Sequence, residues 1–145
     1  EGNKGALSGV PNSMPSLLKA LRIQDKARAI GFDWDDPSQV WEKVQEELAE
    51  LQDEVASLNS ATDENSKKIG QKKLESEFGD VLFALINYAR FLNINSEDAL
   101  EKTNKKFIFR FNYMEQKILA QGKALEDCSL QEMDVFWNEA KKLES

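Results

Sequence analysis

The chain has 145 residues, enough for one domain with a sizeable core, and its 26 acidic against 19 basic residues leave a formal net charge of −7. That balance argues against electrostatic binding to a nucleic-acid polymer or an anionic membrane, and no apolar run reaches transmembrane length. With no histidine and one cysteine, zinc enzymes, His-assisted serine or cysteine nucleophiles and Glu-x-x-His di-iron bundles are excluded, and the lone thiol of Cys128 suits a reducing cytoplasm.

Residues 1–14, with Gly2, Gly5, Gly9 and Pro11, read as an irregular leader. Helical spacing begins after Pro15 with Leu17, Leu18, Leu21 and Ala29, and Gly31 offers a C-terminal stop. The next helix is announced by Asp36 as N-cap with Pro37 behind it, at the first helical position. Its residues Val40, Val44, Leu48, Leu51, Val55 and Leu58 advance in steps of 4, 4, 3, 4 and 3, an amphipathic stripe. A polar turn from Asn59 to about Asn65 leads to a second long helix, about Ser66 to Leu92, whose apolar set includes Leu74, Phe78, Val81, Leu82, Leu85 and Tyr88. Ser96 is placed to cap a third, Glu97 to Gln121, stopped by Gly122. Ser129 and Glu132 form a capping box for the last, Leu130 to Leu143. No segment outside these helices alternates with period 2, so the expected fold is all-α, a helical bundle spanning 15–145. Phe107, Ile108, Phe109, Phe111, Tyr113 and Met114 point nearly all round the third long helix. A helix apolar on every side is expected to be buried on every side, which predicts a homodimer. Trp34 and Trp41 are expected in the core, and Gly79 is expected to allow close helix approach.

The chemistry is concentrated in two pairs of acidic residues, Glu47/Glu50 and Glu77/Asp80, each spaced i, i+3 on a long helix and therefore on one face. Taking about 100° per residue, the apolar residues from Val40 to Leu58 fill an arc of about 80°, and Glu47 and Glu50 lie about 20° and 80° beyond one edge. Glu77 and Asp80 share a strip with Lys73, Ala84 and Asn87 along the edge of the other apolar face. Both pairs border the core. If the two helices pack side by side, four carboxylates converge, and their repulsion calls for a hard cation with oxygen ligands, such as Mg²⁺. Hydrolysis of a phosphorylated substrate is the leading expectation. On spacing alone, solvated acidic helix surface competes with it evenly.

Glu46-Glu47-x-x-Glu50, followed by Glu77-x-x-Asp80, resembles the E-E-x-x-E…E-x-x-D signature of the MazG-type all-α nucleoside triphosphate pyrophosphohydrolases. Met14-Pro15-Ser16-Leu17, Gly31-Phe32-Asp33-Trp34, Gly79-Asp80-Val81-Leu82-Phe83 and Asn104-Lys105-Lys106-Phe107 resemble blocks of the bacterial MazG C-terminal domain. The resemblance runs from about Val10 to Lys142. It implies an intertwined homodimer that hydrolyses a nucleoside triphosphate to the monophosphate and pyrophosphate with Mg²⁺, or Mn²⁺, and that needs no nucleic-acid polymer or membrane. Glu47, Glu50, Glu77 and Asp80 match the family's metal-ligand positions, and Lys73, Lys106, Arg110 and Lys141 match phosphate or nucleotide contacts. Trp137 resembles a base-proximal residue, with plain core packing as the alternative. The leader resembles the connection between the two domains of longer MazG proteins, which makes the chain a one-domain fragment by expectation.

In such a site a carboxylate orients water and takes its proton during attack on the α-phosphorus; Glu47 and Glu50 are both candidates for this catalytic role. Glu46 points about 100° from Glu47 and is open to a structural ion pair. Two other readings compete: a narrower relative acting on dUTP, dCTP or a histidine-pathway nucleotide, and a non-catalytic or regulatory helical dimerisation module.

Overall fold

A computed structural model describes residues 5–144 of the chain; residues 1–4 of the expected leader, and Ser145, lie outside the described residues. Among those described the regular structure is helical throughout. Five helices, α1 (Ser16–Ala29), α2 (Pro37–Ser60), α3 (Glu64–Phe91), α4 (Ser96–Ala120) and α5 (Leu130–Leu143), are joined by turns, with one 3-10 turn at Leu125–Asp127. The all-α expectation holds. Backbone packing divides the chain into two compact units, one ending at Glu97 and the other beginning at Asp98.

The helix ends follow local chemistry. Asp36 Oδ1 accepts from the Ser38 N–H at 3.0 Å, with Pro37 at the first helical position where its missing N–H costs nothing. Ser129 Oγ accepts from the Glu132 N–H at 3.2 Å. Gly31 and Gly122 close the turns after α1 and α4 at φ +92° and +77°, a region that a Cβ disfavours. Two boundaries differ from the sequence reading. α3 begins at Glu64 because Asp63 Oδ2 caps the Ser66 N–H at 2.9 Å, and α2 runs on through Asn59 to Ser60, shortening the polar turn. Ser96 opens α4 as its first residue, a difference of one position.

In the first unit α2 and α3 form an antiparallel hairpin. Leu58 lies against Gly70 near the turn, and Trp41 stacks at a tilt on Tyr88 at the far end, with ring centroids 5.1 Å apart. Close approach falls to Gly70, where a Cβ would sit 2.9 Å from Leu58 Cδ1. At Gly79 a Cβ would meet nothing within 4 Å, so the packing role expected there is not seen within the chain. Val40 and Val44 are 1% exposed and form the core with Val81, Ala84 and Ile86. α1 joins through Gln24, whose Nε2 donates to the Phe83 carbonyl at 3.0 Å.

The turn after α1 is fastened to α3 by Arg90, whose two terminal nitrogens donate to Asp33 Oδ1 and Oδ2 at 3.0 and 3.3 Å. The hydrogen bond from Arg90 is the main reason that the Asp33 carboxyl is held below its ordinary value of 3.8. A carboxyl depressed by folding stabilises the fold above its unfolded pKa, and that contribution is lost as pH falls through the lowered value. Thermal melts are therefore expected to show wild type above Asp33→Asn by a constant margin above pH 3.8, with the margin closing in more acid solution.

In the second unit α5 is tied to α4 by side chains. The Phe107 ring meets Trp137 edge-on at 5.1 Å, Tyr113 donates to Glu139 at 3.0 Å, and Arg110 pairs with Glu144 at 2.6 Å. Met114, Ile118 and Ala140 are its buried apolar residues.

The apolar stripes are only partly covered by the chain itself. Phe78, Leu82 and Leu85 on α3 are 42–53% exposed, and Phe107, Ile108 and Phe109 on α4 are 45–57% exposed. The expectation that α4 is buried on every side is not met within one chain. Trp34 and Trp41 are also exposed to 43% and 42%, which corrects their placement in the core.

Candidate metal centre

The antiparallel register of α2 and α3 sets the middle of one helix against the middle of the other. Glu47, Glu77 and Asp80 each offer a carboxylate oxygen, and the three oxygens lie within 4.8 Å of one another. Burial is graded across the cluster. Glu47 is 6% exposed, Glu77 is half-buried and Asp80 is open to solvent. The edge-of-core position read from the helical angles accounts for this grading.

Glu50, one turn beyond Glu47, is exposed and stands outside that three-oxygen set. Its carboxyl is pushed above the ordinary 4.5, chiefly by the Glu47 charge, then by partial desolvation, by the Glu77 charge and by hydrogen-bond contact with both. It is therefore a close neighbour of the trio. Glu46 is exposed and faces Lys43 at 3.7 Å, the ion-pair alternative raised by its angle.

Lys43 matters more through its other contact. Its Nζ is 2.8 Å from Glu47 Oε1, and that bond is the main reason the ammonium is raised above its ordinary 10.5. The remaining buried oxygen of Glu47, Oε2, and the buried Oε2 of Glu77 have no hydrogen-bond partner. A buried carboxylate oxygen without a donor is costly.

The proposed nucleotide contacts fall in both units. Lys73 is an exposed residue of α3, one turn before Glu77. Lys106, Arg110, Trp137 and Lys141 belong to the second unit. Lys106 and Lys141 are exposed, whereas Arg110 is held by Glu144 and lies over the half-buried Trp137 ring with 5.9 Å from guanidinium to centroid.

With this geometry in hand, comparison with known proteins is decisive: the profile of the MazG nucleotide pyrophosphohydrolase domain matches residues 36–114, which include all four acidic positions. The chain belongs to the MazG nucleotide pyrophosphohydrolase domain family. It is 42% identical over 128 residues to a Thermotoga maritima protein named nucleoside triphosphate pyrophosphohydrolase/pyrophosphatase MazG, a match covering 88% of the chain and 45% of that protein. An Escherichia coli K12 protein named nucleoside triphosphate pyrophosphohydrolase is 37% identical over 139 residues, 96% of the chain and 49% of its own length. The Bacillus subtilis protein YabN, named as uncharacterized, is 51% identical over 74 residues, 51% of the chain and 15% of that protein. The chain spans about half the length of the two pyrophosphohydrolases.

The residues of this MazG domain fit a metal ion. The donors are all carboxylate oxygens, which suits a hard divalent cation rather than a soft one, and two unpartnered buried oxygens are what such an ion would satisfy. Glu47, Glu77 and Asp80 are the residues that can hold it. Among the described residues no helix is long and apolar enough to cross a membrane.

Sequence reasoning missed three features of the domain. The Lys43–Glu47 pair was legible as an i, i+4 cation–anion spacing. Asp63 with Ser66 three residues on is a cap signal. The link from Asp33 to Arg90 joins positions 57 apart, and nothing local announces it.

Proposed function

We propose that this domain hydrolyses a nucleoside triphosphate to the nucleoside monophosphate and pyrophosphate with Mg²⁺, or Mn²⁺ in its place. The observation that carries the proposal is the convergence of Glu47, Glu77 and Asp80 within 4.8 Å, with buried oxygens of Glu47 and Glu77 lacking partners. The names of the Thermotoga and Escherichia relatives support it.

Glu47, Glu77 and Asp80 are the proposed metal ligands, with Glu50 beside them. A divalent cation held there supplies charge neutralisation to the phosphate oxygens and the departing pyrophosphate. Glu50 is assigned the task of orienting water and taking its proton as the water attacks the α-phosphorus. The choice falls on Glu50 because Glu47 is already engaged by Lys43 at 2.8 Å, whereas Glu50 is exposed. Lys73, Lys106, Arg110, Trp137 and Lys141 are assigned to the nucleotide, the cations offsetting phosphate charge that the acidic site would otherwise repel. For Arg110 this means exchanging Glu144 for phosphate.

A homodimer is part of the proposal. The rings of Phe78, Phe107 and Phe109 are 45–55% exposed, and a second copy is the simplest cover for them. Sedimentation at micromolar concentration is expected to give twice the chain mass. The proposed setting is the cytoplasm, where the Cys128 thiol stays reduced.

Incubation with each common nucleoside triphosphate and Mg²⁺ tests the activity. Monophosphate and pyrophosphate, lost on chelation, are the expected products. Diphosphate and phosphate would point to a different reaction, and inertness with every triphosphate would favour a helical interaction module.

A further inference from the structure

Arg110, assigned above to the nucleotide, already holds an anion of the chain's own. Its Nε and one terminal nitrogen both donate to a single oxygen of Glu144, at 2.8 and 2.6 Å. Two N–H groups converging on one oxygen is also how a guanidinium grips a phosphate. The two side chains are 20% and 21% exposed, so a ligand can reach the pair from solvent.

Glu144 stands where helix electrostatics disfavours it. It is the C-cap residue of α5, at the end where the macrodipole attracts cations, and Lys141 and Lys142 in the last turn follow that rule. A carboxylate there loses what those lysines gain. Its backbone N–H reaches the Lys141 carbonyl at 3.3 Å, a long bond. The carboxylate is therefore held by Arg110 rather than by its own helix, and rotation of one side chain releases it.

Arg110 has support that does not depend on Glu144. Its guanidinium lies over the Trp137 ring, 5.9 Å from the centroid, and Phe107 braces that ring edge-on at 5.1 Å. This cation–π contact keeps the cation presented when the carboxylate leaves. α4 and α5 are joined separately by Tyr113, which donates to Glu139 at 3.0 Å.

We infer that Glu144 is a tethered competitor for substrate phosphate at Arg110. The inference rests on the assignment of Arg110 to the nucleotide. A phosphate must displace the carboxylate, so apparent affinity is the intrinsic affinity reduced by the fraction of molecules in which Arg110 is released. A polyphosphate, anchored at other points as well, displaces Glu144 more readily than a singly charged anion does. When the ligand departs, Glu144 closes on Arg110 again.

The test uses the full chain and two readouts: KM for a nucleoside triphosphate with Mg²⁺, and binding of inorganic tripolyphosphate without divalent cation. Glu144→Gln keeps the shape of the side chain and removes its charge. It is expected to lower KM and tighten tripolyphosphate binding by about two- to fivefold, the scale of an ion pair that is still partly exposed. Glu139→Gln removes an equal charge from the same helix and is expected to leave both within about 1.5-fold, on the same reasoning. Arg110→Ala is expected to weaken tripolyphosphate binding. A purely structural Glu144 would give the opposite sign, since loosening α5 weakens binding. Unchanged or weaker binding by Glu144→Gln, an equal gain by Glu139→Gln, or full tripolyphosphate affinity in Arg110→Ala would overturn the inference. Triphosphate hydrolysis separates the two claims. Hydrolysis with no effect of Glu144→Gln removes the competitor alone, and the tripolyphosphate pattern without hydrolysis removes the activity alone.

Discussion

Asp80→Asn and Glu50→Gln are each expected to lower turnover of nucleoside triphosphate by a hundredfold or more, in line with the roughly 10²–10⁴-fold contribution of a positioned acid or base. They are expected to fail differently. Asn at position 80 keeps the shape of the side chain but loses one of the three charges that converge within 4.8 Å, so cation binding and turnover fall together. Glu50 stands outside that set and is exposed, so Gln there costs turnover while the cation still binds. Both positions are exposed helical sites at which Asn and Gln are tolerated, and far-ultraviolet circular dichroism is expected to match wild type. Near-normal turnover by both purified variants would refute the site.

The second large effect concerns stability. Lys43→Ala removes the cation that donates to Glu47 at 2.8 Å, and Glu47 is a carboxylate that is 6% exposed and already has one oxygen unmatched among the described residues. Leaving a buried charged acceptor unpaired costs about 2 kcal/mol. For a chain of this size that lowers Tm by about 4–8 °C. The cost is expected in full with chelator present. With saturating Mg²⁺ the gap from wild type is expected to narrow, because a cation held by Glu47, Glu77 and Asp80 neutralises the same charge and binds only the folded chain. A gap that is equal with and without Mg²⁺ would mean that Lys43 and the cation do not share Glu47.

The convergence of Glu47, Glu77 and Asp80 was more legible in the sequence than the core was. Glu47, Glu77 and Asp80 met because two features are local: the i, i+3 spacing fixes each pair on its helix, and the short polar turn forces α2 and α3 antiparallel. The capping chemistry of Asp36 and Ser129 is equally local, and both helices start where those residues put them. The apolar pattern of α3 was read differently from how it packs. Phe78, Leu82 and Leu85 fit the helical stripe with Val81, yet of these the unit buries only Val81, and it buries Ala84 and Ile86 beside it. Periodicity names an apolar face without naming what covers it. The same limit applies to Phe107 and Phe109, whose exposure in one chain is what the proposed dimer would explain. The pairing of Arg110 with Glu144 was illegible for another reason, since 34 positions separate them.

Calorimetric titration of Mg²⁺ into the wild-type chain, and into Glu77→Gln and Asp80→Asn, tests the metal centre most directly. The account predicts saturable binding by wild type that is weakened at least about tenfold, the scale of losing a supporting metal contact, in each variant. Equal affinity in all three proteins, or no binding by wild type, would contradict it.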